Sequence, residues 1–170
     1  MLPKSPECAG CPLFGDGRGF VPDVLMPGAR VLILAQAPGA DEEAGRRIIG
    51  MEAGRPVYEP CPPQPLVGRT GWALRGYLGQ AGLKPAAVSK CNVLKCRAEI
   101  VGPKGKKIKV NDLPKGKMLK AAVAHCTTAY LRIPPETELV VASGAVAWGA
   151  MGGPGSITDW RGFLLEKGEP

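Results

Sequence analysis

The stretch RVLILAQAPGADEE, residues 30–43, decides the fold. Its first half, RVLILAQ, is a continuous apolar run that is typical of a parallel strand buried on both faces. Pro38 and Gly39 then end the strand, and the acids that follow favour the first turn of a helix. A buried strand that leads through a tight turn into a helix predicts an α/β domain.

The remaining segments repeat this alternation of strand and helix. Apolar runs predict further strands over 88–94 and, as ELVVAS, over 138–143. Helical spacing of apolar residues predicts helices over 68–83, 117–131 and 144–153. We therefore predict one domain over residues 1–170, of class α/β, with three αβα layers around a short central parallel sheet. Residues 1–29 are predicted to be irregular, 45–67 to form a Pro-punctuated loop, and 157–167 could be half of a hairpin.

The positive charge of the chain is concentrated in one segment. The net charge is +7, and residues 84–120 contain eleven Lys or Arg against two acids, so the rest of the chain is slightly acidic. The core of this segment is a lysine-rich insertion over about residues 98–117, longer than compact domains usually contain. We expect it to contact a polyanion, and a simply solvated loop is the alternative.

The N-terminus and the cysteine content indicate the compartment. The opening MLPKSPECAGC has a lysine and cysteines where a secretory signal would be apolar, and VLILA is too short to span a bilayer. We expect an intracellular, cytoplasmic protein that does not contact membranes. In a reducing compartment its six cysteines favour metal ligation or inert burial over disulfides.

Four of the cysteines have a pattern that favours a metal centre. Cys8 and Cys11 are a tight chelating pair, whereas Cys96 follows a predicted strand and Cys126 lies in a predicted helix. Zinc ribbons normally use two tight pairs, and scattered ligands fit an iron–sulfur cluster better. Zinc and inert burial remain alternatives. Adjacent to Cys126, His125 is expected at the surface or behind the ligands.

Two polar segments follow predicted strands at their carboxyl ends. These are QAPGADEE, residues 36–43, and the segment that begins at Asn92. Because ligands of open parallel sheets bind beyond the carboxyl ends of the strands, we expect both segments to face one cleft.

The motifs VLILAQAPGADEE, PLVGRTGWAL and CNVLKCR, with the helix that bears Cys126, follow one another as in a known family. In this order the chain resembles the iron–sulfur, family 4 uracil-DNA glycosylases over about residues 8–163. The resemblance implies the glycosylase fold, uracil-containing single- or double-stranded DNA as partner, and hydrolysis of the N-glycosidic bond of a flipped uracil. It also implies a [4Fe-4S] cluster held by Cys8, Cys11, Cys96 and Cys126.

The resemblance also implies site residues. Asn92 would read uracil, and the turn Ala37-Pro38-Gly39 would stabilise the departing base. Gln36 and Leu66 would line the pocket, while Glu42 and Asp41 would orient water. Phosphate contacts are expected from the basic side chains Arg69, Lys95, Arg97, Lys104, Lys106, Lys107 and Lys109.

Three departures from the family pattern leave a second interpretation open. Gln36 stands where the family usually has a glutamate, and Leu66 where it has a stacking phenylalanine. The family's final histidine–proline motif is not present, so the chain is a fragment, works without that histidine, or no longer cleaves. The alternative is a non-catalytic iron–sulfur DNA-binding module, either a monomer or a domain of a larger replication or repair protein.

Overall fold

The computed structural model describes residues 2–15, 17–98 and 116–162. The strands are β1 Gly17–Phe20, β2 Val31–Ala35, β3 Arg46–Glu52, β4 Arg55–Pro60, β5 Val88–Asn92, β6 Cys96–Ala98 and β7 Leu139–Ala142. The helices are α1 Ala40–Ala44, α2 Arg69–Gln80, α3 Gly116–Tyr130 and α4 Ala145–Ala150, with short 3₁₀ turns at Pro6–Cys8 and Pro85–Ala87. The described residues contain no helix that is long and apolar enough to cross a bilayer.

A three-stranded parallel sheet forms the centre of the domain, as predicted. Its order is β5-β2-β7, so the strand of the RVLILAQ stretch lies in the middle. In register, Leu34 lies between Cys91 of β5 and Ala142 of β7. The strand ELVVAS was predicted to be buried, and this was wrong. Leu139 and Val141 are exposed because β7 is an edge strand of the described sheet and only alternate side chains face a helix.

Side chains of β2 alternate between two apolar cores, one on each face of the sheet. Leu32 and Leu34 pack with Ala147 of α4 and Val123 of α3. Ile33 and Ala35 point to the opposite face and pack with a second group, which includes Leu66 and Leu74 and Leu78 of α2. The mixed α/β class with a parallel sheet is therefore confirmed, and its helices cover both faces.

The segment predicted as a long loop over 45–67 contains an antiparallel hairpin, so that prediction was wrong. Strands β3 and β4 pair from Arg46 opposite Pro60 to Glu52 opposite Arg55. The two-residue turn between them has positive φ at both Ala53 and Gly54, the conformation that matches the twist of hairpin strands. The prolines at positions 56 and 60 favoured a loop in the prediction. Both lie in β4, which pairs only with β3 in the described sheet and is therefore an edge strand, where proline is tolerated.

Gly71 permits the closest backbone approach in the domain core. A Cβ atom built on it would lie 1.7 Å from the carbonyl oxygen of Leu66. Only glycine therefore allows α2 to begin directly against the segment that includes Leu66.

We expect Gly71→Ala to destabilise the fold by about 1–3 kcal/mol, because a backbone atom must move to accept the methyl group. Gly76→Ala is the matched control in the same helix, since its Cβ would meet nothing within 4 Å. That control should be neutral or stabilise by up to about 1 kcal/mol. Urea unfolding measures both, and equal midpoints for the two variants would contradict the close approach.

Candidate functional site

A cavity of about 640 Å³ opens at the carboxyl ends of the parallel strands. This volume is within the usual range for small-molecule sites. Its wall is formed by the turn after β2, the start of α2, the hairpin and the end of β7. The lining residues are Ala35, Gln36, Ala37, Pro38, Gly39, Ala40, Asp41, Glu42, Arg46, Tyr58, Leu66, Gly68, Arg69, Thr70, Arg97 and Ser143.

The carboxylate of Glu42 joins three segments around this cavity. Its Oε1 accepts the backbone N–H of Leu66 at 2.7 Å, and its Oε2 accepts the backbone N–H of Gly39 at 3.2 Å. The same Oε2 accepts Nδ2 of Asn92 at 3.3 Å. Burial raises the pKa of Glu42, while these three donors act to lower it. The QAPGADEE segment and the segment that begins at Asn92 were predicted to lie close together, and this is confirmed. The hydrogen bond between Glu42 and Asn92 joins them.

Asn92 is fully buried next to Glu42 and is not among the residues that line the cavity, although it was predicted to lie in the pocket. One N–H of its amide is used by Glu42, whereas its Oδ1 has no hydrogen-bond partner among the described residues. A buried amide oxygen without a partner costs about 1–3 kcal/mol. Such an acceptor indicates a position where a ligand or a water supplies the missing donor.

Leu66 has the left-handed backbone conformation, with φ of 60°. This conformation costs a branched residue about 1–2 kcal/mol and concentrates at functional sites. The hydrogen bond from Leu66 to Glu42 and the close approach of Gly71 hold it there. Leu66 therefore presents a strained, fixed wall to the cavity.

The other acidic side chains of the first helical turn are engaged by arginines. Asp41 Oδ1 accepts Nε of Arg46 at 2.6 Å. Glu43 forms a buried ion pair with Arg97, with Nε of the arginine 3.1 Å from Oε2. Gln36 lines the cavity and its backbone carbonyl accepts the N–H of Leu94. Glu42 and Asp41, the two carboxylates predicted to orient water, therefore both have hydrogen-bond partners.

The structure corrects the role predicted for Lys95. Its side chain is only 2% exposed, and Nζ lies 2.6 Å from Asp23 Oδ1 and 2.6 Å from the carbonyl oxygen of Asn92. An ammonium engaged in this way is not available to a phosphate. Lys95 instead fixes the backbone just after β5.

The other predicted phosphate contacts differ in their surroundings. Arg97 is buried with Glu43, so it is not the exposed contact that was predicted, although it borders the cavity. Arg69 is exposed at the start of α2, lines the cavity and has no carboxylate partner among the described residues. The four lysines Lys104, Lys106, Lys107 and Lys109, like most of the basic insertion, lie outside the described residues.

The four cysteines predicted to bind metal come together on the α3 side of the domain. Cys11, Cys96 and Cys126 belong to one buried cluster. Cys8 lies close enough to interact electrostatically with Cys96 and Cys126. Burial first, and then the neighbouring thiols, raise the pKa of Cys96 to about 12. Cys61 and Cys91 lie outside this cluster, as expected.

Side chains of α3 hold the turn that carries Cys8. The hydroxyl of Tyr130 lies 3.1 Å from Cys8 Sγ and 2.7 Å from Ser5 Oγ. His125 Nε2 donates to the backbone carbonyl of Glu7 at 2.8 Å. His125 therefore stabilises the turn rather than reaching the sulfurs directly, which agrees with its predicted supporting position.

Four thiolates are the usual ligand set of an iron–sulfur cluster, and these four thiols match it by residue type. Within the described ranges, no group of three or more His, Cys, Asp or Glu side chains is placed to hold a metal ion.

Several cavity residues were missed from the sequence. Arg46 and Tyr58 lie in the hairpin that was taken for a loop. Thr70 lies in the first turn of α2, and Ser143 directly follows β7. Ser143 could have been found, because the strand-end rule that selected Asn92 also applies to it.

Comparison of the chain with protein-family models and with curated proteins found no match.

The pKa of Glu42 gives a pH test of this geometry. Because the carboxyl is harder to ionise in the folded protein, its contribution to stability is complete at low pH. That contribution falls as pH rises from the ordinary glutamate value to the raised pKa, by about 1.4 kcal/mol per pH unit of that window. The stability advantage of the wild type over Glu42→Gln should therefore shrink across this window and then level off. Urea unfolding at a series of pH values measures it. An advantage that grows with pH would mean that the three N–H donors outweigh burial.

Proposed function

We propose that the chain is an iron–sulfur uracil-DNA glycosylase-like protein that hydrolyses the N-glycosidic bond of a uracil flipped out of DNA. Support comes from the motif order in the sequence, the parallel sheet with helices on both faces, and the cavity at its carboxyl edge. The coincidence of the Cys8, Cys11, Cys96 and Cys126 segments is a further, independent support.

The observation that carries the proposal is the buried, unpartnered Oδ1 of Asn92 at the carboxyl end of β5. Uracil has an N–H at ring position 3 that an amide oxygen can accept, next to a carbonyl that an amide N–H can donate to. Cytosine reverses this pattern, so its donors and acceptors would meet like groups. Each mispaired buried group costs about 1–3 kcal/mol, which gives an amide at this place discrimination between the two bases.

Cleavage develops negative charge on the base and positive charge on the sugar. Backbone N–H groups of the turn Ala37-Pro38-Gly39 could stabilise the base, although Pro38 has no N–H and that of Gly39 already donates to Glu42. The Ala37 N–H is the remaining donor of this turn. Gln36 and Asp41 line the same cavity and would position water and balance the sugar charge.

The thiols of Cys8, Cys11, Cys96 and Cys126 would hold a [4Fe-4S] cluster. When bound, the cluster would supply a structural link rather than chemistry, since base hydrolysis transfers no electron. It would tie the N-terminal turn to α3 and to β6, whose first residue, Cys96, is four residues beyond Asn92.

A second candidate is a DNA-binding module without catalysis. It is favoured by the engagement of all three carboxylates in the first turn of α1, which leaves no free general base among them. The amide at Gln36 cannot take a proton from water, which favours the same interpretation.

Oligonucleotides that carry a single uracil discriminate the two candidates. For the glycosylase we expect alkali-sensitive abasic sites from uracil and none from a matched cytosine oligonucleotide, with the wild-type protein. Asn92→Asp should lower the rate at least tenfold, because the amide donor pattern is lost. Thermal unfolding checks that this variant folds, since Asn92 contacts Glu42. Tight, salt-sensitive binding by the wild type with no base release would instead support the module.

The cluster is tested by metal content in protein purified without oxygen. We expect brown protein with iron and acid-labile sulfide, and loss of both in Cys96→Ser and Cys126→Ser. Cys61→Ser is the matched control, because Cys61 is a thiol outside the buried cluster. Colourless protein that contains one zinc per chain would overturn the iron–sulfur assignment.

A further inference from the structure

The β3–β4 hairpin contributes an aromatic ring to the cavity. Tyr58 is the aromatic residue among the described lining residues, and its side chain is 38% exposed. Its hydroxyl makes no hydrogen bond within the described part of the chain. The Tyr58 ring therefore has an accessible face, because the side chain is neither packed in the core nor held by a hydrogen bond of its hydroxyl.

Arg46 orients this ring. Its Cζ lies 4.7 Å from the Tyr58 ring centroid, which is a cation–π contact. The same guanidinium donates to Asp41, so the ring is linked through Arg46 to the turn after β2. One face of the ring is thus covered by a fixed cation, and a planar partner can stack on the remaining face.

Hydrogen bonds join the hairpin to neighbouring parts of the domain next to the cavity. Ile48 of β3, which pairs with Tyr58, is fully buried, and its N–H donates to the carbonyl of Val67 at 3.0 Å. Arg75 of α2 donates to the carbonyl of Ile48. Tyr58 therefore lies on β4 directly opposite the β3 residue that is bonded to Val67 and to α2, so little ordering is required when a ligand binds.

We propose that Tyr58 is a specificity-determining residue that stacks on the planar ring of a nucleobase in this cavity, with Arg46 holding it in place. The inference rests on the proposed use of the cavity for a flipped base, but it does not depend on whether the base is cleaved. Stacking on an aromatic side chain contributes about 1–3 kcal/mol per base. Leu66, which also lines the cavity, has no aromatic face, so Tyr58 would supply the stacking surface of this site.

The test compares DNA that has a base with DNA that lacks it. Single-stranded oligonucleotides with one 2′-fluorinated deoxyuridine, whose uracil resists hydrolysis, and identical ones with a tetrahydrofuran abasic analogue at that position, are titrated at fixed salt. For the wild type we expect tighter binding of the uracil oligonucleotide. Tyr58→Leu should weaken that binding about 5- to 150-fold and leave the abasic affinity unchanged. Tyr58→Phe should bind both as the wild type does.

Tyr77→Leu is the matched control. Tyr77 is 67% exposed on α2 and does not line the cavity, so its loss should change neither affinity. Thermal unfolding distinguishes a stacking role of Tyr58 from a role in hairpin stability alone. If the role were purely structural, Tyr58→Leu would lower both affinities and the unfolding temperature together. Equal affinity of the wild type for the two oligonucleotides would overturn the inference. Failure of the proposed glycosylase is a different outcome, namely base-dependent binding without base release.

Discussion

The hydrogen bonds that converge on the Glu42 carboxylate are the constraint on which the site depends. They join the turn after β2, the strained Leu66 and the end of β5, where Asn92 is 50 residues from Glu42 in sequence. A buried carboxylate is stable only when its oxygens accept hydrogen bonds, so Glu42 depends on these three N–H donors. The three N–H groups in turn have Glu42 as their acceptor. The cavity walls are therefore one connected unit. A change at any of the three segments is expected to displace the other two.

The chain directly after β5 contains a residue of an ion pair, Lys95, and a residue of the buried thiol cluster, Cys96. Lys95 binds Asp23 and the Asn92 carbonyl, which fixes the chain directly after β5. The next residue, Cys96, enters the buried thiol cluster. Burial raises the pKa of Asp23, so this ion pair is retained only because both partners and the carbonyl meet at close range. Asn92 is thus held through its amide by Glu42 and through its backbone carbonyl by Lys95.

Local patterns of the sequence were sufficient for the parallel sheet, its helices and the meeting of the two polar strand ends. These follow from apolar runs and from the rule that parallel strands end at one edge, which involve short stretches of chain. Lys95 was misassigned because its partner, Asp23, is 72 residues away, and nothing in the local sequence distinguishes a buried lysine from a solvated one. The hairpin was missed because its prolines outweighed its alternating side chains, and Tyr58 and Arg46 were missed with it. The thiol cluster could be proposed because the tight Cys8–Cys11 pair was taken together with two scattered cysteines, Cys96 at a strand end and Cys126 in a helix.

The arrangement of the acids bears on whether the cavity performs chemistry. A general base must have an oxygen that can take a proton, yet Glu42 accepts three N–H groups and Asp41 and Glu43 are paired with arginines. Of these pairs, Asp41–Arg46 is the more exposed, so it costs the least to separate. The Arg97–Glu43 pair is buried and would not open in this way. Asp41 is therefore the acid of this turn that would most readily act as a general base, and freeing it would also remove the bond that links Arg46 and Tyr58 to the turn after β2.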